Sequence, residues 1–215
     1  MLPALYAIVD VSACASRGLS PATCAAGFLE GGARLLQLRA KPMASGAMLA
    51  LARDLVRMAA GPGARVLVND RADVALMARA SGVHVGQEDL PPEAVRRLLG
   101  TAAIVGWSTH TPDQLEAAAD LPIDYVAVGP VFPTATKDTG YAAVGLELVR
   151  RAVAAARGRP VVAIGGITLE TAPAVIEAGA ASVAVISDLL ATGDPAGRVR
   201  AYLAALASKP SRSRV

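Results

Sequence analysis

The chain has 215 residues, a net charge of +3, and 53% hydrophobic but only 3% aromatic residues. That length suits one domain, within the range of a single α/β barrel of roughly 200–250 residues. Scarce aromatics leave a core of Ala, Val, Leu and Ile and argue against a nucleic-acid reader with stacking platforms, while no run reaches the ~18–20 apolar residues of a membrane span.

Short Val/Ile/Leu-rich runs alternate with longer Ala-rich helical patterns. Strands are predicted at 5–9, 34–38, 65–68, 82–85, 103–107, 124–128, 160–164 and 182–186. Helices are predicted at 21–31, 43–60, 71–80, 91–99, 112–119, 145–157, 168–178 and 188–207. Pro21, Pro92 and Pro112 stand where a helix begins, and Gly100, Gly158 and Gly179 where one stops. Continuous apolar runs suit strands buried on both faces, as parallel sheets require. Eight strand–helix units, with no GxGxxG after the first strand, predict a (β/α)8 TIM barrel over residues 1–207. Residues 208–215 read as a short, basic, solvated tail outside the domain. Cys14 and Cys24 are too few and too unpatterned for a disulfide framework or a zinc site. The N-terminus enters LYAIV with no leader-like region, so a cytoplasmic protein is expected.

In such barrels chemistry sits at the C-terminal strand ends. The most informative segment is GPVFPTATKDTG, 129–140, which follows the sixth strand. Thr134, Thr136 and Lys137 there offer hydroxyls and a point charge to a phosphoryl group. After the second strand, period-two alternation sets Gln37, Arg39 and Lys41 on one face, towards the barrel mouth. The two cations repel unless an anion lies between them. Asn69 and Asp70 close the third strand and Asp89 follows the fourth. Asp70 is either a helix cap or half of an acid pair with Asp89; Asp73 reads as a first-turn acid. Two neighbouring carboxylates are unfavourable without a cation, and Mg²⁺ takes one or two carboxylates with water and phosphate oxygens.

The remaining candidates are quieter. His84 reads as a hydrogen-bonded histidine in the core or mouth and Trp107 as a packing residue. Ser108 has no evident partner base and suits a hydrogen bond to substrate better than nucleophilic attack. AIGGI (163–167) and VISD (185–188) end the last two strands, where barrel phosphate sites form. Gly165, Gly166 and Ser187 suit that role.

QLRAK (37–41), NDRADVA (69–75), GVHVGQEDLP (82–91), GWSTHT (106–111), GPVFPTATK (129–137), AIGGI (163–167) and VAVIS (183–187) together resemble the thiamine-phosphate synthase family, from Leu5 to about Leu190. The resemblance implies coupling of hydroxymethylpyrimidine pyrophosphate to a thiazole phosphate, with release of pyrophosphate by a dissociative route. It implies Mg²⁺ as cofactor, held by Asp70 and Asp89, with Arg39, Lys41, Asn69 and Lys137 on the pyrophosphate. It further implies Gln37 and Ser108 on the pyrimidine, and Thr134, Thr136, Gly166, Ile186 and Ser187 around the thiazole phosphate. Catalysis would fall to Arg39, Lys41, Lys137 and Ser108 through positioning and leaving-group stabilisation. Many members carry an acid between the arginine and lysine of the first motif, where Ala40 stands here. Alternatives are a thiazole tautomerase of the sister family and a non-catalytic phosphate-ligand barrel. Neither nucleic acid nor membrane is an expected partner. The Ala-rich outer helices leave the oligomeric state open.

Overall fold

The computed structural model describes residues 1–41, 43–134 and 143–207. Eight parallel strands close into a barrel in sequence order. They are β1 Leu5–Asp10, β2 Leu35–Arg39, β3 Arg65–Asn69, β4 Gly82–Val85, β5 Ile104–Thr109, β6 Tyr125–Val128, β7 Val161–Ile164 and β8 Ser182–Val185. The ring is closed by β1 pairing with β8, with Leu5 opposite Val183. Outside run α1 Val11–Ala15, α2 Pro21–Glu30, α3 Ser45–Ala60, α4 Ala72–Ala78, α5 Pro92–Leu99, α6 Pro112–Ala117, α7 Gly145–Ala155, α8 Ala172–Glu177 and α9 Pro195–Ala207. Short 3-10 turns occupy Ala118–Asp120 and Ser187–Leu190. The predicted TIM barrel is the observed fold, and each predicted strand lies within about a residue or two of its place.

Alternation along each strand divides the core in two. Outward-facing Ala7, Leu36, Val68 and Val83 join the apolar faces of the helices. Inward-facing Tyr6, Ile8, Leu35, Leu67, Tyr125 and Val162 fill the barrel, so its interior is packed below the mouth. Trp107 belongs to the outer layer, as expected of a packing residue. At the opposite end Arg96 donates to the carbonyls of Pro122 and Ala103 and pairs with Asp124 at 2.8 Å. That end carries a structural tie, while the C-terminal strand ends gather chemistry.

Two helix predictions needed correction, and one helix was not predicted. The segment after β1 holds a five-residue helix, α1, whose start is capped by Asp10 Oδ1 accepting from Ala13 N at 2.8 Å. The span 188–207 is not one helix. Gly193 at φ 75° and Pro195 interrupt it, and Asp194 Oδ1 caps the new start by accepting from Gly197 N. Likewise α8 begins at Ala172, because Pro173 is tolerated only in a first turn. The predicted tail, 208–215, lies outside the described residues. Cys14 and Cys24 are buried free thiols. Among the described residues no helix is long and apolar enough to cross a membrane.

Candidate active site

The mouth of the barrel opens into a cavity of about 910 Å³. Its wall includes Gln37, Arg39 and Lys41 from the end of β2, with Asn69 and Asp70 from β3. Asp89 and Ser108 line it from the next two units, and Thr134 from the loop after β6. Gly166, Ile186 and Ser187 complete it from the β7 and β8 ends. The predicted site residues among the described ones therefore share one cavity. Thr136 and Lys137 lie outside the described residues.

The acid pair sits at the rim. Asp70 stands just past β3 with φ 65°, a left-handed backbone that Asp and Asn tolerate better than most residues. Its amide donates to the His84 carbonyl at 2.8 Å, so it does not serve as a helix cap. Burial raises the Asp70 carboxyl above its ordinary value, and the neighbouring Asp89 carboxylate raises it further. The Lys41 ammonium, 3.2 Å away, opposes that shift. Asp89 is anchored by Gly86 N, which donates to its Oδ2 at 2.7 Å. Adjacent strand ends thus bring two acids together against their own repulsion, with the exposed Lys41 as a counter-ion among the described residues. Asp73 lies in the first turn of α4 and pairs with Arg71, which holds its carboxyl below the usual range.

The cations of the first motif, Arg39 and Lys41, do not face each other uncompensated. Arg39 pairs with Asp10, its register partner across β1 and β2, and Lys41 pairs with Asp70. Asp10 was absent from the predicted site. Its signal was the inward period-two series Tyr6, Ile8, Asp10, which ends in a charge opposite Arg39. Buried, Asp10 both caps α1 and fixes the guanidinium.

Deeper in the mouth, a hydrogen-bonded chain crosses the barrel. Gln37 Nε2 donates to Tyr6 Oη at 2.8 Å, and the Tyr6 and Tyr125 hydroxyls lie 3.3 Å apart. The Tyr125 hydroxyl meets His84 Nδ1 at 2.9 Å, and His84 Nε2 meets Ser108 Oγ at 2.8 Å. Burial pushes Tyr6 up to about 12 and Tyr125 well above a free phenol, so both stay neutral. Gly106 makes room for the Tyr125 ring, since a Cβ there would collide with it. His84 is a hydrogen-bonded mouth histidine, as expected. It also supplies the neighbour that the sequence did not reveal for Ser108. Its far nitrogen meets the Tyr125 hydroxyl, which ties Ser108 into the chain that begins at Gln37.

At the opposite wall, Gly165 and Gly166 have φ of 98° and 63°. A Cβ on either would strike Pro130 or the Phe132–Pro133 backbone, so only glycine allows the β6 and β7 loops to meet there. Thr134, Gly166, Ile186 and Ser187 share this side of the cavity, and Ile186 also packs on the inner barrel cluster.

The thiamine monophosphate synthase family model matches residues 5–189. The chain is 47% identical over 210 residues to a protein named thiamine-phosphate synthase from Koribacter versatilis (strain Ellin345), covering 96% of this chain and 97% of that one. It is 42% identical over 204 residues to a protein of the same name from Roseiflexus sp. (strain RS-1), covering 95% and 85%. A solved thiamine phosphate pyrophosphorylase from Pyrococcus furiosus superposes with a TM-score of 0.85 at 31% identity, covering 94% of this chain and 95% of that one. With a matching barrel and a relative this similar along nearly the whole length of both chains, the protein belongs to the thiamine monophosphate synthase family.

Proposed function

We propose that the barrel couples hydroxymethylpyrimidine pyrophosphate to a thiazole phosphate, forming thiamine phosphate and releasing pyrophosphate. The observation that carries this reading is the juxtaposition of Asp70 and Asp89 at the rim of the cavity that Arg39, Lys41 and Ser187 also line. Moving a proton on a thiazole phosphate would make no use of two acids and two cations gathered on one wall.

The acid pair fits Mg²⁺ by its hard oxygens and by the charge repulsion that a cation relieves. Among the described residues there is no group of three or more His, Cys, Asp or Glu side chains that could hold a metal. A two-carboxylate set suits an ion that fills its other positions with water and phosphate oxygens. Asp70 and Asp89 would hold it. When bound, Mg²⁺ supplies concentrated positive charge to the departing pyrophosphate oxygens.

The protein's own groups do the rest. Arg39, braced by Asp10, and Lys41, relieved of its duty to Asp70, neutralise the pyrophosphate, and Asn69 donates to it. Gln37 and Ser108 orient the pyrimidine, held in turn by the tyrosine–histidine chain. The bond between the pyrimidine methylene and oxygen breaks with its electron pair leaving on the pyrophosphate. The thiazole nitrogen then donates its lone pair to form the new C–N bond. No protein nucleophile takes part, so stabilising the leaving group and aligning the two rings are the whole task. Thr134, Gly166, Ile186 and Ser187 receive the thiazole phosphate. Lys137, on the pyrophosphate, and Thr136, on the thiazole phosphate, belong to the same reading and lie outside the described residues.

Incubation of the purified protein with both substrates should give thiamine phosphate and pyrophosphate in equal amounts, only when Mg²⁺ is present. Isomerisation of the thiazole phosphate without coupling would transfer the assignment to the tautomerase. Binding of both compounds without turnover would point to a ligand-binding barrel.

A further inference from the structure

A carboxylate stands where an anion site would least tolerate one. Asp188 follows Ser187 directly and lines the same cavity as Gly165 and Gly166, with its side chain 15% exposed. Left alone, it would repel a phosphate dianion. It is not left alone. Arg198 Nη2 lies 2.8 Å from Oδ2 and 3.0 Å from Oδ1, and its Nε lies 3.1 Å from Oδ2. The Tyr202 hydroxyl donates to Oδ2 at 2.6 Å, and Leu169 N donates at 3.2 Å. Burial and the adjacent carboxylate keep Tyr202 protonated, so it remains a donor.

These contacts join three segments. Leu169 lies in the loop after β7, Asp188 in the turn after β8, and Arg198 and Tyr202 one helical turn apart on α9. Glu170, 3.7 Å from Arg198, is the second acid against the guanidinium. Arg198 is not among the residues lining the cavity; Asp188, which it grips, is.

We propose that Arg198, assisted by Tyr202, is a positioning residue for the thiazole phosphate: it cancels and immobilises the Asp188 carboxylate so that the two glycine- and serine-bearing loops accept a dianion. The proposal rests on the reading of that cavity wall as the phosphate subsite. It assigns α9, on the outside of the barrel, a part in substrate affinity.

The test measures thiazole phosphate binding by calorimetry, together with KM for each substrate. Arg198→Gln should weaken thiazole phosphate binding on the order of 10- to 100-fold, as loss of supporting partners does at other ion sites. KM for the pyrimidine pyrophosphate should stay within about twofold, by the additivity of distant sites. Arg198→Lys should recover most of the affinity. The double variant Asp188→Asn with Arg198→Gln has no carboxylate left at position 188 to expose, so it should bind more tightly than Arg198→Gln alone.

Wild-type affinity in Arg198→Gln would overturn the proposal, and so would a double variant no better than the single one. A loss shared equally by both substrates would reduce Arg198 to a structural tie and overturn it as well. Failure of the wild-type protein to bind thiazole phosphate at all would instead remove the subsite reading beneath it.

Discussion

Asp70→Asn or Asp89→Asn is expected to lower Mg²⁺-dependent kcat/KM by about 10³-fold, the loss of roughly 4 kcal/mol of transition-state stabilisation. Asparagine is the informative replacement. It keeps an oxygen and a similar shape, and at position 70 it tolerates the left-handed backbone that alanine would strain. The same variants should leave the barrel folded, and Asp70→Asn should melt at or above the wild-type temperature without metal. The sign follows from Asp70's raised carboxyl. A carboxyl whose folded pKa exceeds its unfolded one costs stability while charged. That cost is absent below the unfolded value and grows as pH rises through the window up to the folded one. Removing the charge removes both the cost and its pH slope. Thermal melts of the metal-free variants between about pH 3 and pH 8, beside initial rates, check both halves. Full activity in both variants would exclude the acid pair from the reaction.

Gly82→Ala should be the most damaging small change to the fold. A Cβ at Gly82 would collide with the backbone carbonyl of Ile104 on the neighbouring strand, its register partner. Backbone in a closed barrel cannot retreat as the tip of a side chain can, so the cost should lie at the upper end for overpacking, about 3 kcal/mol. For a chain of this size that corresponds to a fall in Tm of about 6–12 °C. Gly46→Ala is the control. That glycine lies inside α3 with nothing within 4 Å of a Cβ, and the change should stabilise by about 0.5–1 kcal/mol. Parallel melting curves decide the matter, and equal Tm values for the two variants would contradict the packing argument.

These two sites illustrate what the sequence made legible. The strands were readable because a two-faced buried strand leaves an apolar run that no surface element needs. The acid pair was readable because consecutive parallel strands deliver their C-terminal ends to the same rim, so Asp70 and Asp89 had to be near neighbours. Helix boundaries were less so. The five residues of α1 are too few to show periodicity, and its cap, Asp10, is also the last residue of β1. The break before α9 was written in Gly193 and Pro195, yet the apolar pattern on either side disguised it.

Partnership across strands was the least legible. Asp10 meets Arg39 because of register, and register is set by the twist and closure of the whole barrel. The same holds for Tyr6, Tyr125 and His84, whose hydroxyls and ring nitrogens meet only because β1, β4 and β6 face a shared interior. A histidine and two tyrosines, set in short and mostly apolar strands, carry no local sign of a chain linking Gln37 to Ser108. The Arg198–Asp188 pair was hidden for another reason. Its residues are ten apart, separated by a turn that the sequence pattern read as continuous helix.

The most direct test is a crystal of the protein grown with Mn²⁺ and pyrophosphate, with the metal located by its anomalous scattering. One ion bound by both Asp70 and Asp89 is expected, with pyrophosphate oxygens in its shell and Arg39 and Lys41 against the anion. Pyrophosphate held elsewhere in the cavity, or held by cations with no metal between the two aspartates, would contradict it.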